Sequence, residues 1–459
     1  MATRRIDMTQ GPIIRKALIF ALPIVIGNIL QQLYSTVDTL VVGNYCGAES
    51  LAAVGTSSQP IEMFLCLFMG MGTGVSILVS QYTGSGDAQR LRLVVKNAVV
   101  FLYLCAIPVT VLGVLFGPLL LKIMQVPPEA EAYAVSYVRI LFLGTLGNLG
   151  YNVNAGILRG VGDSRSTLLF LLVSCVVNIV LDLLFVVRFH MDVSGVAIAT
   201  AIAMLVSWVA SVIYIRRRHP ELGYEILPRR MDKGMLLEIF RIGFPLGLNQ
   251  SLYSVGHFVM QVLVNGQGVV FAAACSVGGK VNSIANVAIQ ALASSATAFA
   301  GQNLGAKRYD RLVRGAWRIP LFTGALTCAA GLLVTAFSGP ILSFFNDDPA
   351  VLAMAQRYVY VVLPFCWVYS VFTCIISFVN GMGLLRYSTT VNLVVLWGVR
   401  IPLAVIIALF FDGTWVMTAV PVSFVVGMVS MLCYFLSHRW QETRLLARSM
   451  AEDAAPAAR

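Results

Sequence analysis

Twelve long apolar runs, joined by short turns that are basic or rich in Gly and Pro, make up nearly the whole chain. Each comes near the roughly 20 residues that a helix needs to cross about 30 Å of hydrocarbon. With 58% hydrophobic and 12% charged residues, the chain carries more apolar side chain than one soluble core of this length buries. An all-α integral membrane protein of twelve transmembrane helices follows. Spans are expected over 16–42, 52–80, 94–121, 133–158, 167–188 and 194–215, then over 236–264, 269–300, 314–337, 351–379, 388–411 and 415–437.

The two sets of six are copies. Pro23 in Phe20-Ala21-Leu22-Pro23 recurs as Pro245 in Ile242-Gly243-Phe244-Pro245, and Gln81-Tyr82-Thr83-Gly84 recurs as Gln302-Asn303-Leu304-Gly305. Tyr137 falls on Tyr358, and Gly160-Val161-Gly162 with Arg165 falls on Gly381-Met382-Gly383 with Arg386. A separation of 221 or 222 residues held over four landmarks marks a duplicated module. Because six is even, both copies enter the membrane from the same side, which relates them by a pseudo-two-fold axis along the membrane normal. The expected organisation is an amino-terminal tail (1–15), an N-lobe (16–215), a linker (216–235), a C-lobe (236–437) and a carboxy-terminal tail (438–459).

Lys and Arg orient the spans. Arg4, Arg5, Arg15 and Lys16, the loop with Arg90, Arg92 and Lys96, the linker, and the loop with Lys307, Arg308, Arg311 and Arg314 all fall on one side. By the positive-inside rule both termini are cytoplasmic, in a multi-pass protein of the cytoplasmic (inner) membrane. The net charge of +11 is accounted for in this way, without a nucleic-acid partner. The first apolar run is too long, and lacks a small-residue cleavage site, to be a removed signal peptide. Nine cysteines sit singly, with no Cys-x-x-Cys pair, and read as packing residues.

Away from helix ends, ionisable residues inside the spans are few: Asp38, Glu62 and Asp182, with His257, Lys280 and Arg400. Such groups are costly at membrane depth and default to a functional role facing a cavity or a partner. All three acids lie in the first copy, so a shared scaffold carries different chemistry in its two halves. Asp38 and Asp182 each fall about 8–9 Å from the outer end of their span at 1.5 Å per residue. Thr200 lies at the same level, and Asn178 is one turn from Asp182 on the same face. Carboxylate, amide and hydroxyl oxygens at one depth suit Na⁺ or a proton held on a carboxylate. The competing reading is that Asn178 and Asp182 are polar glue between helices.

Span 7 carries Asn249, Tyr253, His257, Gln261 and Asn265 at every fourth residue, a polar stripe that reads either as a cavity wall or as a hydrogen-bonded seam. Tyr34, Glu62, Asn154, Asn249, Tyr253, His257, Gln261 and Lys280 form the candidate substrate cavity. Gly70, Gly72 and Gly74 sit inside an apolar run and read as points of close helix contact or of bending.

In their order, Phe20-Ala21-Leu22-Pro23, Gln31-Gln32-Leu33-Tyr34 leading to Val37-Asp38, Ser80-Gln81-Tyr82 with Gly84, Arg159-Gly160-Val161-Gly162-Asp163, Asn178 with Asp182, and Gly301-Gln302-Asn303-Leu304-Gly305-Ala306 give the chain a family likeness. It resembles prokaryotic multidrug and toxic compound extrusion (MATE) transporters over about residues 12–440. The resemblance implies two six-helix lobes arranged as a V around a central cavity, exporting cationic or amphipathic compounds in exchange for Na⁺ or H⁺. It also implies a first-lobe cation site at Asp38, Asn178, Asp182 and Thr200. Some branches carry further carboxylates in spans 7, 8 or 10, where this chain has Ser254, His257 and Lys280-Val281-Asn282. A secondary multidrug antiporter is therefore expected, monomeric, with no cofactor beyond the coupling ion, no enzymatic activity, and small molecules and membrane lipids as partners. The alternative is a flippase or exporter of a lipid-linked or anionic metabolite within the same superfamily.

Overall fold

A computed structural model describes residues 5–123, 128–228, 230–345, 347–437 and Trp440, and side chains are not described for Glu62 and some other residues of the second helix. The described chain is helical throughout, with no strand among the described residues. The first copy comprises α1 (Ile13–Tyr45), α2 (Gly47–Ser85), α3 (Ala88–Ile123), α4 (Pro128–Leu143), α5 (Thr145–Gly160), α6 (Ser164–Asp182) and α7 (Asp192–Arg218). The second comprises α8 (Lys233–Asn265), α9 (Val269–Gly305), α10 (Tyr309–Ala336), a short α11 (Ser338–Ser343), α12 (Pro349–Val362), α13 (Cys366–Gly381), α14 (Leu385–Leu393), α15 (Ile401–Phe410) and α16 (Ala419–Leu436).

Among the described residues ten helical stretches, and an eleventh if a bent pair is joined, are long and apolar enough to cross a membrane. The remaining long helix is α8, whose 33 residues suffice in length and whose polar stripe lowers its hydropathy. Large apolar side chains face outward, among them Leu115 (66% exposed), Leu321 (63%) and Leu409 (71%), as expected where the surrounding medium is hydrocarbon.

The fourth span is the bent pair. α4 and α5 meet at 45° around Gly144, where a Cβ would lie 2.7 Å from the Cβ of Ala201. The break recurs in the second copy as a 3₁₀ turn over Leu363–Phe365, between α12 and α13. Pro364 removes a backbone donor there. Two further irregularities are π turns, Leu183–Arg188 directly after α6 and Val394–Arg400 directly after α14.

The chain divides into two compact units, one formed by Met1–Asp7 and Ile19–Ser251, the other by Met8–Leu18 and Leu252–Arg459. In the first, α2 packs against α5 and against the early part of α8 through glycine. A Cβ on Gly74 would lie 2.6 Å from Gly243 Cα, and one on Gly156 would lie 2.6 Å from Gly72 O. Backbones approach this closely only where side chains are missing. Gly162 has φ +90°, and a Cβ there would meet the Ile6 carbonyl oxygen at 2.5 Å. The Ile6 N–H donates to the Gly162 carbonyl at 3.0 Å.

Residues assigned from the sequence to an amino-terminal tail make defined contacts. In the first unit Arg5 pairs with Glu221 and meets the buried His219 ring at 2.6 Å. In the second unit the Met8 N–H donates to Gln302 Oε1 at 3.0 Å, while Asn303 Nδ2 and Arg311 Nε donate to the Met8 carbonyl. Gly162, Gln302 and Asn303 are repeat landmarks of the sequence, and these contacts give them a structural use. At the other end Trp440, which falls in the expected carboxy-terminal tail, is buried, donates to the Phe435 carbonyl at 3.0 Å and stacks on the Phe435 ring. The rest of that tail, and Arg4 and Arg229, lie outside the described residues.

Candidate functional site

Three helices of the first unit bring four oxygen-bearing side chains together. Asp38 comes from α1, Asn178 and Asp182 from the last turn and a half of α6, and Thr200 from α7. Asp182, Asn178 and Thr200 all lie within polar reach of the Asp38 carboxyl, and Asn178 Nδ2 donates to Thr200 Oγ1 at 3.3 Å. Asp182 is fully buried, Asn178 is buried and Asp38 is half-buried.

What distinguishes the cluster is its acceptors. Asp38 Oδ1, Asn178 Oδ1 and both carboxylate oxygens of Asp182 are buried with no hydrogen-bond donor. Neither acid forms an ion pair with a described residue. Buried polar atoms are nearly always satisfied, because each orphan costs about 1–3 kcal/mol. Four in one place, two of them on one carboxylate, form a set that a hard cation or a proton satisfies. Polar glue would leave few orphans, since glue consists of the hydrogen bonds themselves. Among the described residues no group of three or more His, Cys, Asp or Glu side chains suits a transition metal.

Local structure holds the cluster in place. One turn from Asp38 lies Val42, one turn from Asp182 lies Val186, and one turn from Thr200 lies Val196. These three valines, with Val41, form a buried apolar cluster. β-Branched residues at i±4 from each polar one put a dry plug against one side of the site, where a low local dielectric strengthens any charge interaction. Asp182 is the last residue before the π turn, a backbone irregularity that recurs at functional sites. Tyr34, one turn before Asp38, and Tyr137 of α4 both lie within electrostatic range of Asp38. Tyr137 stood out in the sequence only as a repeat landmark.

The other cavity candidates are dispersed. Glu62 lies in α2, and its side chain is not described. Asn154 is fully buried and donates to Ser211 Oγ at 2.8 Å, inside the packing of α5 on α7. Asn249 is buried in the first unit. In the second unit Tyr253 meets His257 edge to face at 4.9 Å, Gln261 donates to Asn265 at 2.9 Å, and Lys280 lies over the Phe345 ring at 5.7 Å. The stripe of α8 thus satisfies itself partly along its own helix. Arg400, at the end of a π turn, is buried, donates to Ser423 Oγ at 2.8 Å and lies over Phe424.

A bundle of membrane-length helices holding a buried, ion-competent polar cluster is the architecture of a polytopic transporter. The MatE family model matches the chain twice, over residues 23–184 and 245–406, and the chain belongs to this family of multidrug and toxic compound extrusion transporters. It is 29% identical to the probable multidrug resistance protein YoeA of Bacillus subtilis, over 94% of this chain and 96% of that protein. It is 24% identical to the FAD transporter of Shewanella oneidensis, over 95% and 96% of the two chains. A crystal structure of MATE in the bent conformation superposes with a TM-score of 0.88 at 22% identity, covering 98% of this chain and all of that one. The two matched segments start 222 residues apart, at Pro23 and Pro245, the same landmark prolines that revealed the duplication. Proteins of this family are transporters and not enzymes.

Proposed function

We propose that this protein is a secondary antiporter of the cytoplasmic membrane that exports organic cations or amphipathic compounds in exchange for Na⁺ or H⁺ taken up at Asp38, Asn178, Asp182 and Thr200. The observation that carries the reading is the convergence of four buried oxygens without a donor. Multidrug naming of relatives such as YoeA supports the substrate class, and the one-sided distribution of Lys and Arg supports cytoplasmic termini. The chain acts as a monomer in contact with membrane lipids.

The coupling follows from position. A cation or proton at the cluster draws together oxygens on α1, α6 and α7, and so changes how α1 packs beside the valine plug. Exchange then requires only that the ion and the substrate favour different states, each with its own differential affinity. Reconstituted vesicles loaded with a fluorescent organic cation, given an imposed Na⁺ gradient in one arm and a pH gradient in the other, identify the ion. Export driven by neither gradient sinks the antiport reading.

A second reading, export of an anionic metabolite, draws on one observation. Arg400 is buried and, among the described residues, forms no ion pair. One relative is named an FAD transporter. Inhibition of dye export by a dinucleotide, lost in Arg400→Gln, favours this second reading, and inhibition by organic cations alone favours the first.

A further inference from the structure

Both copies of the repeat form a hollow at the loop after their second long helix, and the two hollows differ in charge. In the first unit a hollow of about 730 Å³ is lined by Asp87, Arg90, Arg92 and Lys96 among others. Its cations are occupied: Arg90 faces Asp87 at 3.6 Å, Lys96 pairs with Glu225 at 2.6 Å, and Arg92 Nε donates to the Glu221 carbonyl at 2.9 Å. In the second unit a hollow of about 610 Å³ between residues 9–13 and the start of α10 is lined by Lys307, Arg308, Arg311, Arg314 and Arg318 with a single acid, Asp310. Arg311 holds the Met8 and Gln10 carbonyls. Arg314 Nε donates to the Asp310 carbonyl at 3.1 Å, but Arg308, Arg314 and Arg318 are exposed and, among the described residues, form no ion pair.

The face of α10 that bears these arginines continues as hydrocarbon. Arg314 and Arg318 are followed at helical spacing by Leu321, Ala325 and Leu332, all exposed, with Leu321 at 63% and Leu332 at 57%. The hollow lies where two membrane-length stretches, Val269–Gly305 and Tyr309–Ala336, end and begin. Cationic ends above an apolar stripe match a ligand with an anionic head and an acyl tail, whereas free phosphate has no use for the stripe.

We propose that the hollow between residues 9–13 and α10 is a binding site for the phosphate headgroup of an anionic phospholipid, its acyl chains lying along the exposed leucine face of α10. The site lies in the unit that lacks the Asp38 cluster, and its test needs neither a gradient nor a transported substrate. It therefore stands or falls separately from the antiport reading.

The test is a lipid titration of the purified full-length protein in detergent, read by native mass spectrometry. Phosphatidylglycerol, phosphatidylcholine and inorganic phosphate serve as separate probes. Phosphatidylglycerol is expected to bind in preference to phosphatidylcholine. Arg314→Gln with Arg318→Gln should weaken it about 25-fold, at about fivefold per cation beside an anionic surface. The paired Lys variant at the same positions keeps the charge and should stay within about fivefold of wild type. Arg90→Gln with Lys96→Gln, in the neutralised hollow, should change binding less than about twofold. Unchanged phosphatidylglycerol binding in the double Gln variant overturns the proposal. So does inorganic phosphate binding as tightly as the lipid, which would assign the hollow to a soluble anion.

Discussion

Replacing Asp182 with Asn should stabilise the protein while disabling it. Both Asp182 oxygens are buried without a donor, and so are Asp38 Oδ1 and Asn178 Oδ1 beside them. Asn has nearly the same shape, removes one charge and brings an NH₂ group that can donate to one or two of the remaining acceptors. Satisfying one orphan recovers about 1–3 kcal/mol. The repulsion relieved between two carboxylates has an upper bound of about 4 kcal/mol at 4 Å and an effective dielectric of 20. For a unit of about 240 residues each kcal/mol corresponds to roughly 2–4 °C in Tm, so a rise of several degrees is expected. The assay is a thermal scan in detergent at pH 8 without Na⁺, followed by the same scan with Na⁺ and at pH 5. Wild type should gain stability from whichever ion couples, by about 2.7 kcal/mol at 100 times its Kd, and Asp182→Asn should gain little. A Tm that falls in Asp182→Asn under ion-free conditions would show that Asp182 is hydrogen-bonding glue, and would refute the reasoning.

Other outcomes follow from packing and charge elsewhere. Gly74→Leu should cost about 1–3 kcal/mol and lower Tm, because its Cβ alone would lie 2.6 Å from the Gly243 backbone; a neutral result places no close crossing there. Trp440→Ala removes a buried stacked ring and should lower Tm by the equivalent of about 3–5 kcal/mol, whereas a free tail would tolerate it. At Asp163, burial pushes the carboxyl up, but hydrogen bonds from His219, Ser166 and Tyr214 outweigh it and hold the group below the usual carboxylate range. A depressed carboxylate contributes its stability above about pH 4 and loses it as pH falls through the lowered value. Asp163→Asn should therefore lower Tm at pH 7 and lessen the difference between pH 7 and pH 3; a Tm difference equal to that of wild type contradicts the assignment.

Much of the fold was legible because membrane helices need length and apolar content, and both can be counted residue by residue. Ten of the twelve expected spans coincide with helical stretches long and apolar enough to cross a membrane, the fourth is the bent pair, and the seventh, α8, is long enough but more polar. Their irregularities were not equally visible. The expected span 351–379 ran through Pro364, which marks the break between α12 and α13, and Gly144 is one of 39 glycines, its 45° bend lying where Ala201 of α7 approaches. The π turn after Asp182 has no compositional signal at all, since it is a shift of hydrogen-bond register.

The candidate cluster was legible for a related reason. Asp38, Asn178, Asp182 and Thr200 lie on helices straight enough for a rise of 1.5 Å per residue to place them at one depth. Tyr137 was noticed only as a repeat landmark, because a tyrosine in an apolar run does not by itself indicate a polar neighbour on another helix. The polar stripe of α8 read as a single surface, but Gln261 donates along its own helix to Asn265, and periodicity cannot tell such local satisfaction from a wall facing water. The arginines of α10 were read as an orientation signal. Their lack of acidic partners, against the paired cations of the first copy, emerges only when loops distant in sequence are placed together.

Gradient-driven transport by Asp38→Asn tests the coupling role of the cluster most directly. Vesicles containing wild type or Asp38→Asn are given the coupling-ion gradient found for wild type, and substrate flux is measured beside substrate affinity without a gradient. Gradient-driven flux should fall by about tenfold or more, the scale of a coupling free energy of 1–3 kcal/mol, while affinity stays within about threefold. Full gradient-driven flux in Asp38→Asn would contradict the assignment of ion coupling to Asp38 and Asp182.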